Sequence, residues 1–275
     1  MVAPVGGSEP GAAVSELRLA YEGAGAAWAR GPSRLYDRLA GLVVESLGVD
    51  LRGRVVLDVG AGTGAPCRAL AAAGATAIAF DASADMLTHT RGSAMLALTG
   101  DMLSLPFLDG SFDAALAGFS ISHILAPERA LVEMRRVVRP AGAVVASVFG
   151  ASPLNASKEI VDEVAGEFGY RRPEWYAVLK ADAEPRSNTP ELLASSASAA
   201  GLVDVEVRDV IVDSGIETPE AIVEYRIGMA HLAPFVASLD DQRRTVFLRR
   251  ALGEVRRRGQ PVTPRVLILS SRAPE

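Results

Sequence analysis

The sequence predicts an α/β protein organised around a doubly wound, mostly parallel sheet, and three observations lead there. Between residues 54 and 149, short strand-like segments alternate with helix-like ones. The strands are continuous apolar runs rather than alternating apolar and polar positions, as expected where both faces of a sheet are covered. The first run, "VVLDVG", enters a loop with glycine at 60, 62 and 64, a strand-to-helix turn that lets backbone approach a ligand closely.

The elements follow in order. Residues 1–14 are rich in Gly, Pro and Ser and are expected to be flexible. Ser15 to Ala29 and Ser33 to Leu47 read as two helices broken at Gly31 and Pro32, the second with Leu35, Leu39, Leu42 and Val43 on one face. "RVVLDVG" is a buried strand, and "PCRALAAAG" a helix closed by Gly74. "TAIAFD" is a second strand ending on Asp81, followed by a helix to about Arg91. "AMLALTGD" and "FDAALAGFS" are the third and fourth strands. "PERALVEMRRVV" is a helix with Pro127 in its first turn, closed by an "RPAG" turn before the fifth strand, "AVVASVF".

Beyond residue 150 the pattern loosens. Residues 151–189 read as helical with a loop, "TPELLASSASAAG" as a Thr-capped helix and "VDVEVRDVIVD" as a strand. Residues 219–258 hold two helices, and "PRVLILSS" is a last strand. Two late strands joined by a long connection suit a sheet finished by an antiparallel edge. In "RRTVFLRRALGEVRRRG" the spacing turns Val246, Phe247, Leu252 and Val255 inward and leaves the arginines on a solvated face.

Composition narrows the function. A chain of 275 residues with 49% hydrophobic and 22% charged residues is that of an ordinary globular protein. Its net charge of −5 argues against nucleic acid as a partner. Cys67 is the only cysteine, which excludes an intrachain disulfide and a Cys-based metal cluster and fits a cytoplasmic protein. The start lacks the pattern of a signal peptide, and the longest nearly apolar stretch, Ala69 to Phe80, falls short of the ~18 residues of a membrane span. A monomer or homodimer with no membrane partner is expected. Lys158 and Lys180 are the only lysines, which reads as a codon-usage habit.

The glycine loop admits two ligands. Gly60, Gly62 and Ala65 satisfy the dinucleotide fingerprint, whereas Gly64 and the acidic Asp58 inside the strand suggest a ligand with no phosphate. Asp81, 21 residues after Gly60, is placed to accept hydrogen bonds from ribose hydroxyls under either reading. The third strand favours the second reading: Asp101 ends it, beside Met102. No zinc, haem or P-loop pattern is present, and no metal is expected.

The succession "VVLDVGAGTG", "AFDASADML", "GDMLSLPF", "FDAALAGFSISHIL" and "MRRVVRPAGAVV" closely resembles the class I S-adenosylmethionine-dependent methyltransferases, in particular the small-molecule branch that includes ubiquinone and menaquinone biosynthetic enzymes. The resemblance spans about residues 54–149. It implies a Rossmann-like, seven-stranded sheet with an antiparallel last strand, helical cap elements, and S-adenosylmethionine as cofactor. It divides residues 15–275, as one domain, into N-terminal cap helices (15–50), a cofactor-binding core (54–149) and substrate-side insertions (151–189 and 215–258).

Carried over residue by residue, the resemblance places Gly60, Ala61 and Gly62 against the methionine moiety, Asp58 beneath them and Asp81 on the ribose. Ala82 and Met86 pack on the adenine, whose amino group meets Asp101 while the Met102 amide meets a ring nitrogen. The carbonyl near Ala117 receives the methionine amino group, and Tyr21, Trp28 or Arg30 closes over the carboxylate end. His123, after the fourth strand, is the candidate base, since imidazole titrates near neutral pH. His89 reads as structural and His231 as a candidate pocket residue. Trp175, Tyr176, Tyr225, Met229 and Phe235 suggest a hydrophobic or aromatic small-molecule acceptor, methylated first on oxygen. Two alternatives stay open: the same cofactor pocket serving cyclisation, and an NAD-dependent oxidoreductase.

Overall fold

The computed structural model describes residues 20–90, 92–151 and 156–275. The segment expected to be flexible, 1–14, and residues 15–19 of the first expected helix lie outside them. A seven-stranded sheet runs β3-β2-β1-β4-β5-β7-β6, formed by β1 (Val55–Val59), β2 (Thr76–Asp81), β3 (Leu96–Thr99), β4 (Phe112–Gly118), β5 (Val138–Phe149), β6 (Val203–Ile211) and β7 (Arg265–Arg272). The first five strands are parallel to one another, and β7 is antiparallel to both its neighbours.

The seven strands and the antiparallel last strand agree with expectation, but the antiparallel strand is not the edge. β7 inserts between β5 and β6, leaving β6 outermost. Composition explains the exchange. β7 buries Val266, Leu267, Ile268 and Leu269, whereas β6 carries Asp204, Glu206, Arg208 and Asp209, charges that suit an exposed edge.

Helices cover both faces. One layer holds α1 (Gly25–Arg30), α2 (Ser33–Glu45), α3 (Ala65–Ala72), α4 (Ala84–Leu87), α6 (Ala156–Glu167), α9 (Pro219–Ile227), α10 (Ala233–Ser238) and α11 (Asp241–Arg258). The other holds α5 (Pro127–Val137) and α8 (Pro190–Ala199), with Leu131, Met134, Leu193 and Ala197 fully buried against the sheet. A short helix, α7 (Glu174–Val178), continues through a π turn into Glu184–Arg186 beside the mouth of the sheet. No helix among the described residues is long and apolar enough to cross a membrane.

Three local expectations are corrected. Of the described residues of the first expected helix, those from Gly25 are helical, while residues 20–23 form a turn in which Gly23 takes φ +77°. The "RPAG" turn is absorbed into β5: Phe112 pairs with Val138 but Ala114 with Ala143, so the intervening residues bulge out, Ala141 at φ +57°. Residues 219–258 form three helices rather than two, with α9 and α11 capped by the Thr218 and Asp240 side chains. On α11 Phe247, Ala251 and Val255 are buried and Leu252 packs against the same core, whereas Val246 faces solvent. Its arginines pair with acids, Arg250 and Arg257 with Glu254 and Arg256 with Glu220.

Candidate functional site

The chain winds outward from β1 to β2 and β3, then returns to β4 and β5 on the other side, so the topological switch point lies between β1 and β4. Ligands of open α/β sheets bind outside the carboxyl ends of the strands at such a point. Here a cleft of about 1290 Å³, its open mouth included, occupies that position. Tyr21, Gly60, Ala61, Gly62, Asp81, Ala82, Met86, Asp101, Met102 and His123 all line it, which gathers ten sequence-selected residues from five separate segments. Ala117 does not: it is fully buried in β4, paired with Ala146, and the cleft is reached one residue later, at Gly118.

The glycine loop has the form its sequence implies and a hydrogen-bond pattern that chooses between ligands. Gly60 and Gly62 take φ +74° and +54°, a region L side chains rarely enter. A Cβ on Gly60 would lie 2.2 Å from that of Ser120, whose hydroxyl donates to the Val59 carbonyl at 2.6 Å. The amides of Gly60 and Ala61 donate to the Phe80 carbonyl (2.7 and 3.1 Å), that of Gly62 to Asp81 Oδ2 (2.7 Å) and that of Gly64 to the Ala61 carbonyl (2.8 Å). These donors are spent inside the protein and cannot cradle a pyrophosphate.

Acceptors face the cleft instead. Asp81 receives Gly62 N–H on one oxygen and Ser83 N–H on the other (2.8 Å), leaving a lone pair of each for a ligand donor. Burial raises its carboxyl above the ordinary range, opposed by those backbone hydrogen bonds. Asp101 Oδ1 accepts from Leu103 N–H (3.0 Å), which fixes the carboxylate at the end of β3. Among the described residues lining the cleft none is Lys or Arg.

Asp58 lies beneath the loop, fully buried. Its Oδ2 accepts from Cys67 Sγ at 3.1 Å, and Oδ1 has no partner among the described residues. Burial pushes the carboxyl up to about 7, opposed by the thiol hydrogen bond.

Tyr21 and His123 close the opposite bank. Tyr21 Oη lies 2.9 Å from His123 Nε2, and His123 Nδ1 lies 3.2 Å from the Ser120 carbonyl. A carbonyl only accepts, so Nδ1 carries the proton and Nε2 receives the Tyr21 hydroxyl. Burial lowers the imidazole pKa and raises that of the phenol, which favours this neutral pair.

An aromatic wall completes the cleft, of which sequence reasoning reached Trp28 and missed Tyr36 and Phe119. Trp28, Tyr36 and Phe119 line it with Ile124 and Leu125. Tyr36 meets Trp28 at 5.0 Å and stands edge-on to Phe119 at 5.5 Å; Phe119 stacks on Phe149 at 4.6 Å. Phe119 takes φ +61°, an uncommon conformation for a bulky residue, and the strain is held by its amide hydrogen bond to Ser147 (2.9 Å). Two signals were available: Tyr36, Ala40 and Val43 share a helix stripe, and Phe119 directly follows a strand end.

The other aromatic candidates pack elsewhere. Tyr176 stacks on His231 (3.9 Å between centroids), and both are buried. Burial and the Arg226 charge take the His231 pKa down to about 2, which keeps the ring neutral. Tyr225 is buried, while Met229 and Phe235 pack against the core. Tyr176 Oη accepts from Arg226 at 3.4 Å, and the Arg226 guanidinium forks onto Asp162 (2.8 and 2.5 Å), with both charged side chains almost wholly buried. Trp175 approaches the cleft through Tyr21, at 6.3 Å. His89 sits against Gly25, away from the cleft lining, as does the exposed Arg30. Among the described residues no three His, Cys, Asp or Glu side chains converge as a metal site would require.

Comparison with known proteins bears out the resemblance read from the sequence. Residues 57–146 match the model of a methyltransferase domain. The demethylmenaquinone methyltransferase of Renibacterium salmoninarum is 39% identical over 121 residues, 43% of this chain and 49% of that protein. The one from Paenarthrobacter aurescens is 37% identical over 121 residues, 43% of this chain and 46% of its own length. The matched region thus spans about half the length of these curated relatives. Among solved structures, Haemonchus contortus phosphoethanolamine N-methyltransferase 2, bound to S-adenosylhomocysteine, superposes with a TM-score of 0.54 at 17% identity, over 86% of this chain and 53% of that one. The (4+2)-cyclase SpnF superposes at 0.52 and 20% identity, over 86% and 81%. At these identities the structures share the fold.

Proposed function

We propose, from a chain whose residues 57–146 form a methyltransferase domain on the class I fold, that this protein transfers a methyl group from S-adenosylmethionine to a hydroxylated, apolar aromatic small molecule. One observation carries the choice of cofactor. The glycine-loop amides are turned inward while two carboxylates, Asp81 and Asp101, face a cleft whose described lining includes no basic side chain. That donor set fits a nucleoside bearing a sulfonium amino acid and does not fit a pyrophosphate.

The cofactor supplies a methyl group already activated on sulfur; the protein supplies alignment and a proton acceptor. Asp81 holds the ribose hydroxyls, Asp101 and the Met102 amide the adenine edge, Ala82 and Met86 its faces. The backbone of Gly60, Ala61, Gly62 and Gly118 flanks the methionine end. Trp28, Tyr36 and Phe119 offer rings against which an aromatic acceptor packs.

The acceptor's hydroxyl proton passes to Tyr21 Oη as the Tyr21 proton moves to His123 Nε2, giving an imidazolium and an acceptor oxyanion ready for attack. Loss of that proton activates the oxygen itself and equally the ring carbon ortho to it. Methylation on oxygen is the first reading; the quinone named by the curated relatives favours the ring carbon as the second.

Calorimetric titration with S-adenosylmethionine, S-adenosylhomocysteine and NADH tests the cofactor. Micromolar binding of the first two alone is expected, weakened by about 1.5–3 kcal/mol in Asp81→Ala, which loses charge-assisted hydrogen bonds. NADH binding alone would overturn the assignment. Mass spectrometry of a phenol and quinol panel then shows whether one methyl group is gained, and at which atom; a rearranged product without it would point to cyclisation.

A further inference from the structure

Residues 20–25 cross the cleft as a strap tied on both banks. On the β4 side Tyr21 bonds to His123. On the β2 side the Gly25 amide donates to Asp85 Oδ2 at 2.7 Å, and the Ala84 amide donates to Glu22 Oε1 at 3.0 Å. The second pair is reciprocal: the first amide of α1 is held by a carboxylate of α4, and the first amide of α4 by a carboxylate of the strap. Since β1 lies between β2 and β4, a strap anchored on both neighbours passes over the glycine loop at the end of β1. The approach is close. A Cβ on Gly25 would lie 2.8 Å from Asp85 Oδ2 and 2.9 Å from the His89 ring, so position 25 admits glycine where the strap meets α4.

We infer that Glu22 and Asp85 are positioning residues that clasp this strap shut over the cofactor, setting how fast cofactor exchanges and holding Tyr21 on His123. Neither side chain lines the cleft. A ligand lying on the glycine loop between Asp81 and His123 cannot leave past residues 20–25 without at least one bank letting go. Of the three ties the Ala84–Glu22 hydrogen bond on α4 is the exposed one, so that bank opens first. The inference rests on the methyltransferase reading for the identity of the enclosed ligand, and on the hydrogen bonds alone for the clasp.

The test compares the full chain with Glu22→Ala, Asp85→Ala, the double variant, and the conservative Glu22→Gln and Asp85→Asn, each of which keeps an acceptor oxygen. Amide hydrogen exchange without ligand should show both Gly25 and Ala84 losing protection in either alanine variant, since each bond supports the other. Stopped-flow displacement of S-adenosylhomocysteine should show dissociation faster by roughly three- to tenfold, the scale of one exposed charge-assisted hydrogen bond. The double variant should be no faster than the quicker single, and the amide variants should stay near the parent. Unchanged dissociation in both alanine variants, or protection lost at one amide only, would overturn the clasp. A parent chain that binds no S-adenosylhomocysteine would instead overturn the functional reading, and the clasp would stand or fall on the exchange data.

Discussion

Around the cleft, Asp81, Ser120 and His123 Nδ1 are held by the main chain; in the cap formed by α6, α7, α9 and α10 the buried polar side chains are held by each other. Asp81 takes its hydrogen bonds from the amides of Gly62 and Ser83, and Ser120 and His123 bond to carbonyls of Val59 and Ser120. In the cap, Arg226 forks onto Asp162 and reaches the Tyr176 hydroxyl at 3.4 Å, while Tyr176 lies flat on His231. Main-chain partners come with the strand-loop-helix geometry and tolerate drift in neighbouring side chains. Side-chain partners tie together residues 64 positions apart and fail if one member changes.

The largest effect should therefore come from the cap. Arg226→Met leaves the Asp162 carboxylate buried without its cation and should cost about 3–5 kcal/mol in urea unfolding, most of it recovered when Asp162→Leu is added. A cost near that of an exposed pair such as Arg256–Glu220, about 0–1 kcal/mol, would erase the distinction between the two regions. Next is the loop: Gly60→Ala combines a left-handed backbone with the Ser120 collision and should cost about 2–4 kcal/mol. Its control is Gly253→Ala in α11, where a Cβ meets nothing within 4 Å, and a gain of about 0.5–1 kcal/mol is expected.

Asp58 gives a pH signature. Its folded pKa, about 7, lies above the unfolded value of about 3.9. Between those values the native chain keeps a proton that the unfolded chain has lost. Stability contributed by protonated Asp58 is thus full below about pH 4 and is lost as pH rises toward 7, by up to about 1.4 kcal/mol per pH unit. Asp58→Asn should flatten that slope in denaturation curves recorded across the window. The smallest effect on stability is that of Tyr21→Phe, about 0.5–1.5 kcal/mol for one hydrogen bond, although the lost hydroxyl breaks the proton relay and should lower methyl transfer itself. Because Tyr21 donates to the neutral imidazole, removing it should raise the His123 pKa and move the acidic limb of a methyl-transfer pH profile upward. An unmoved limb would detach His123 from the reaction.

The same contrast explains what could be read in advance. "VVLDVGAGTG" announces a strand, a left-handed turn and a helix because glycine, aspartate and apolar residues each limit the backbone within a few positions. Asp81 is legible as the last residue of a strand, and Asp101 as standing just past the end of one. Met86 and Met102 follow from the resemblance in register. The apolar and aromatic group Tyr176, Tyr225, Met229 and Phe235 reads as a pocket in the sequence because nothing local says that an arginine in "EYRIGM" turns inward to meet Asp162 in "EIVDEV". Tyr36 and Phe119 escaped for the opposite reason: an aromatic on an amphipathic helix or after a strand looks like core until the cleft is seen beside it.

The insertion of β7 between β5 and β6 bears on how the chain is made. Phe149 ends the fifth strand, and the residue that begins β7 is Arg265. At about 5–20 residues per second those 116 positions take a ribosome roughly 6–25 s to add. Throughout that interval β5 presents an unpaired apolar edge, Ala143 to Val148, and β6 is synthesised with no neighbour to join. Nascent chains stalled before residue 265 should therefore engage chaperones that bind extended apolar segments, and release them once β7 emerges and zips both edges at once.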